Sequence, residues 1–94
     1  MPMIDPFLHS PELQRRLADH LRTKRRARKL SRARLAQLST VPAATIKRFE
    51  LSGEISLRQF CLLWECLDDL HALLALTQSL KPEPQTIAEV LSDV

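Results

Sequence analysis

Ninety-four residues with a formal net charge of +3 and a single glycine make one small domain, with room for one modest core. No apolar run approaches the ~20 residues that span a bilayer, and the start MPMIDPFLHSPE has no basic stretch leading an apolar block, so a soluble, cytoplasmic chain without a secretion signal is expected. One glycine excludes a Gly-rich phosphate loop, and His9, His20 and His71 lack metal-ligand spacing, so no catalysis, metal or cofactor is expected.

Helical signals dominate and strand signals are nearly absent, which predicts an all-α fold of five helices. Residues 1–10 read as an N-terminal extension. Ser10-Pro11-Glu12 gives an N-cap, a proline at the first helical position and an acid in the first turn. Leu13, Leu17, Leu21 and Ala27 then carry a helical stripe up to Leu30. Ser31 caps a short second helix with Leu35, Ala36 and Leu38 apolar. Pro42 ends that helix's reach and opens the third, AATIKRFE, which stops near Gly53. Ser56 caps LRQFCLLWECL, with Leu57, Phe60, Leu63, Trp64 and Leu67 inward. Asp68-Asp69 then starts DLHALLALTQSL. The domain is expected over residues 11–80, and residues 81–94 read as a Pro-containing linker, KPEP, followed by the tail TIAEVLSDV. Cys61 and Cys66, five apart on one helix, are expected as unpaired small hydrophobes.

Charge is segregated along the chain. Residues 1–48 hold twelve Lys/Arg against three acids, a balance of +9, and residues 49–94 hold two against eight, a balance of −6. A basic half of this density attracts polyanions, most commonly nucleic acid. Short helix, tight turn, short helix behind a basic helix is the outline of a helix-turn-helix.

The segment LSRARLAQLSTVPAATIKRFELSGEISLRQF, residues 30 to 60, resembles the core of the Cro/C1-type helix-turn-helix repressors (the XRE class). That family runs Leu-Thr/Ser-Gln-x-x-Leu-Ala-x-x-x-Gly-Val-Ser-x-x-Thr-Ile-x-x-Ile/Phe-Glu, matched here by Leu30, Ser31, Leu35, Ala36, Val41, Thr45, Ile46, Phe49 and Glu50. Thr40 stands where the family has its turn glycine, and Arg32 where it has glutamine. Within the family, VPAATIKRFELSGEISLRQF is most similar to HipB-type antitoxins of toxin-antitoxin operons. The resemblance implies a transcription regulator that binds operator DNA as a homodimer, represses its own promoter and binds a HipA-like kinase toxin complex. A stand-alone phage-type repressor, or a module mainly for protein binding, are the alternatives.

On the matched positions, the resemblance implies base-facing Ala43, Ala44 and Arg48, with Thr45 and Lys47 beside them. Arg48 is able to read guanine in a bidentate way, and the alanine methyls could pack on thymine. Helix propensity alone also explains two alanines. Arg32, Thr40 and Ser56 are expected on phosphates. Arg25 and Glu50 are expected to form a structural ion pair. Trp64, Leu70, Leu73, Leu74 and Leu76 form the expected dimer surface, although the same leucines could instead close the core.

Overall fold

The structure, a computed structural model, describes residues 6–78. The linker and tail expected over residues 81–94 lie outside them. Five helices follow in order: α1 (Ser10–Ala27), α2 (Arg32–Ser39), α3 (Ala43–Ser52), α4 (Leu57–Leu67) and α5 (Leu70–Leu74), with a 3₁₀ turn at Ala75–Thr77. Among the described residues the fold is all-α, without strands. No helix there is long and apolar enough to cross a membrane.

Each boundary has a local cause. At the start of α1 the capping position is His9 rather than Ser10, and its side chain makes no cap. Three basic residues in the last turn of α1, Lys24, Arg25 and Arg26, face the negative end of the helix dipole. The helix closes through Lys29, at φ 55°, with Lys29 N–H donating to Arg26 O and Leu30 N–H to Arg25 O. That is a Schellman closure with lysine in the left-handed seat that glycine usually takes. Ser31 and Ser56 cap α2 and α4, their hydroxyls accepting from Arg34 N (3.0 Å) and Gln59 N (3.2 Å). Asp69 caps α5 by accepting from His71 N at 2.9 Å.

The α2–α3 turn is built by Thr40, Val41 and Pro42. Thr40 adopts φ 67°, ψ 5°, a left-handed conformation that a β-branched residue rarely takes. Its N–H still closes α2 on Ala36 O. The buried Ser39 hydroxyl accepts the Val41 N–H, Val41 is sunk in the core, and Pro42 has no N–H to satisfy. A left-handed β-branched residue costs ~1–2 kcal/mol, part of which glycine would lose in chain entropy. Thr40→Gly is therefore expected to raise stability by ~0.5–1 kcal/mol, read as a higher denaturant midpoint at unchanged slope.

At the end of α3, Gly53 sits at φ +80°, where a Cβ would come within 3.1 Å of the Gln14 carbonyl carbon and Cβ and 3.2 Å of Arg15 N. Both the conformation and the backbone of α1 oppose a side chain. Gly53→Ala is expected to cost ~1–3 kcal/mol, again as a shift in the denaturation midpoint.

The core joins Ala18 and Leu21 of α1, Leu35 of α2, Val41 of the α2–α3 turn, Ile46 and Phe49 of α3, and Phe60, Leu63, Trp64 and Leu67 of α4. Phe60 packs edge-on to Phe49, ring centroids 5.9 Å apart, and tilted against Trp64 at 5.6 Å. Three expectations on the apolar face need correction. Ala27 and Leu13 of α1 are exposed, because the buried stripe turns through Leu17, Ala18 and Leu21 to the charged residue Arg25. Leu57, expected inward, is 77% exposed, since it is the first residue of α4 and points past the end of the core. The helix expected after Asp68-Asp69 is shorter: α5 gives way at Ala75 to the 3₁₀ turn, where Thr77 Oγ1 donates to Leu74 O at 2.7 Å. Cys61 and Cys66 are free and half-buried. Burial pushes the Cys66 thiol up, reinforced by the Glu65 charge and opposed by Arg28.

Candidate nucleic-acid interface

The third helix has two faces. Ile46, Phe49 and Glu50 are buried, while Ala44, Lys47, Arg48 and Leu51 are exposed. The spacing i, i+3, i+4 on each side keeps the two sets apart around the helix. Ile46 and Phe49 lock the helix's rotation, so the exposed set is aimed outward by packing rather than by chance. Ala43 and Thr45 lie between the faces, half-buried. The small side chains at 43 and 44 leave the first turn of α3 open to close backbone approach by a ligand.

Arg48 is mostly exposed and pairs with Glu54 across the helix end, Nη2 to Oε2 at 2.6 Å. Lys47 is exposed. Thr40 is exposed in the turn, and Ser56 is exposed at the start of α4, its hydroxyl shared between Gln59 N and Gln59 Oε1. At the mouth of α2, Arg34 Nη1 donates to Gln37 Oε1 at 3.0 Å, both exposed.

Behind this surface lies a buried charge cluster. Arg25 Nε and Nη2 donate to the two oxygens of Glu50 at 2.7 and 3.1 Å, a bidentate pair, with side chains only 11% and 3% exposed. Arg25 Nη1 also donates to Leu30 O at 2.7 Å. The same guanidinium thus joins the end of α1 to α3 and to the loop entering α2. Arg32 Nε adds a third bond to Glu50 Oε1 at 2.9 Å. Burial alone would push the Glu50 carboxyl up, but hydrogen bonds and charge from Arg25 and Arg32 outweigh it and hold it below its ordinary value of 4.5. One carboxylate between two guanidinium groups explains how the charges are tolerated in the interior. Arg32, expected on phosphate, therefore carries a structural contact to Glu50.

The expected dimer residues divide. Trp64 is 7% exposed, donates Nε1–H to Asp69 O at 2.8 Å and stacks on His20 at 5.2 Å, so it belongs to this chain's own core. Leu73 is half-buried, and Leu70, Leu74 and Leu76 are exposed. His20 Nε2 lies 2.6 Å from Asp68 Oδ2, and that contact, with the Asp69 N–H and the Lys24 charge, holds the Asp68 carboxyl below its ordinary value. Asp68 thereby ties α1 to the end of α4.

Sequence reasoning passed over three residues at this surface. Leu51 continues the exposed face of α3 one turn beyond Lys47 and Arg48. Gln37 and Glu54 hold the two arginines that flank it. Helical spacing from Lys47 would have found Leu51; the Arg48–Glu54 contact spans a turn whose path the spacing does not encode. No protein-family model, no curated protein and no solved structure matches this chain.

Proposed function

We propose that this chain is a sequence-specific DNA-binding repressor that inserts α3 into the major groove. The observation that carries the proposal is the division of α3, whose buried face is fixed by Ile46, Phe49 and Glu50 while Ala44, Lys47 and Arg48 face outward. The basic balance of residues 1–48 supports it, because phosphate neutralisation supplies most of the binding energy of such proteins at low salt. Lys47 grips the backbone, Arg48 reads a guanine, and Thr40 and Ser56 stand where a phosphate is reached from a turn and from a helix start. Two copies bind the two halves of one site.

The similarity of residues 41–60 to HipB-type antitoxins extends the proposal to the biological role. On that reading the operator lies in the chain's own promoter, and the acidic second half answers to a HipA-like kinase toxin complex. Selection of bound duplexes from a random pool by the full chain tests the DNA proposal. The expected outcome is an enriched motif with two similar half-sites about one helical turn apart, ~10 base pairs centre to centre. A pool that emerges with no preferred sequence would sink it.

A further inference from the structure

Four exposed arginines of this chain are engaged within it. Arg16 holds Glu12, Arg28 donates to Cys66 O, Arg34 holds Gln37 and Arg48 holds Glu54. Arg22 and Arg26 of α1, and Lys29 in the loop that follows, are exposed as well. Among the described residues, their side chains have no hydrogen-bond or ion-pair partner. Lys29 adds a second observation. It holds φ 55°, a conformation that glycine takes freely and a residue with a side chain takes only at a cost. A cation in that seat is an outlier from which a use can be inferred.

The three cations lie on the side of the molecule that α3 presents outward. Glu50 meets Arg25, while Gly53, farther along α3, packs against Gln14, farther back along α1. The two helices therefore run in opposite senses. At ~100° per residue, Arg22 and Arg26 lie about 60° and 100° around α1 from Arg25, and Lys47 lies about 60° around α3 from Glu50, in the same sense. In an antiparallel pair, equal senses of rotation lead to the same side. The unpaired flank of α1 and the exposed Lys47 thus open onto one surface, on either side of the Arg25–Glu50 clamp.

We propose that Arg22, Arg26 and Lys29 form a phosphate grip on the duplex that α3 enters, holding the backbone without reading bases. The inference rests on the DNA-binding reading of α3 and adds a second element to it. Charge complementarity argues for this ligand. Residues 22 to 29 span about two helical turns, ~10 Å, and meet a duplex that carries a negative charge every ~1.7 Å of its axis. Guanidinium and ammonium groups without internal partners are free to take phosphate oxygens.

The triple variant Arg22→Gln/Arg26→Gln/Lys29→Gln, compared with the unaltered chain by fluorescence anisotropy on the selected duplex and on a scrambled one, tests it. Between about 50 and 200 mM salt the unaltered chain is expected to lose roughly 40-fold more affinity than the variant, the share of three phosphate contacts. Preference for the selected duplex is expected to persist in the variant. Equal salt slopes for the two chains overturn the proposal, and so does a change of preferred sequence, which would make these side chains readers. Asp19→Asn removes an acid from the same flank and is expected to tighten binding to both duplexes at low salt. A damaged fold cannot produce that gain, and its absence overturns the grip. The two readings fail separately. A salt difference without sequence preference in either chain supports the grip and removes α3 from base reading, whereas no binding to either duplex overturns both.

Discussion

Arg25→Ala is expected to destabilise the fold by ~3–5 kcal/mol, the usual cost of removing one partner from a buried ion pair. A domain of this size has ~5–15 kcal/mol in total, so the loss is a large share of the stability. Three contacts are lost at once: two charge-assisted bonds to Glu50 and the bond to Leu30 O. Arg32 remains on Glu50, which places this variant toward the lower end of the range. Glu50→Ala is expected to cost more, since it leaves two guanidinium groups facing each other without their shared carboxylate. Chemical denaturation of both variants measures this, and an unchanged midpoint for either would contradict the assignment of the cluster as structural.

The same cluster sets a pH dependence. Because the Glu50 carboxyl is held below its ordinary value of 4.5 in the folded chain, its ionisation stabilises the fold fully above the unfolded value. That contribution is lost as pH falls through the lower folded value. Stability should therefore fall on the acid side, below about pH 4.5, and the fall should be shallower in Glu50→Gln, which has no proton to take up.

The second large effect is on DNA. Arg48→Ala is expected to weaken binding to the preferred site by ~1–3 kcal/mol, roughly 5- to 150-fold, and to relax the choice of base at one position. Arg48 must leave Glu54 to reach a base. That contact is between exposed side chains, worth ~0–1 kcal/mol, so release is cheap beside the gain. Glu54→Gln should accordingly tighten binding by no more than about fivefold, chiefly on sites with the base that Arg48 reads. Lys47→Ala should weaken binding evenly across sequences and reduce the salt dependence by about one phosphate contact. Equal affinities of Arg48→Ala and the unaltered chain for the selected site would remove Arg48 from the reading surface.

Much of the architecture was legible in the residues. Ser31, Ser56, Asp69, Pro42 and Gly53 mark helix ends through chemistry that acts within three or four residues, and α1 to α4 follow from it. What was missed depends on neighbours distant in sequence. Apolar spacing marks Leu13 and Leu57 as core candidates, yet whether an apolar residue is buried depends on what packs across from it. The pairing of Arg25 with Glu50, twenty-five residues away, was expected only through the resemblance, because no spacing within the chain links them; the structure puts Arg25 Nε 2.7 Å from the Glu50 carboxylate. Arg32 was read as a phosphate ligand because a charge near a helix start usually is one; its bond to Glu50 needs the α2–α3 geometry. In α5 the leucines suggested a long helix, but the α-helix ends at Leu74 and a 3₁₀ turn follows at Ala75–Thr77, a common ending of an α-helix. The outward face of α3 was visible from spacing alone, while its use on DNA rests on charge and resemblance.

Fluorescence anisotropy of the full chain on the DNA upstream of its own gene, beside a scrambled duplex and across a salt series, tests the central claim most directly. The account predicts binding to the native duplex at least ~10³-fold tighter than to the scrambled one near physiological salt, with both affinities falling steeply as salt rises. Equal, weak and equally salt-sensitive binding to the two duplexes would contradict it, and would leave the basic half as a generic grip on polyanions.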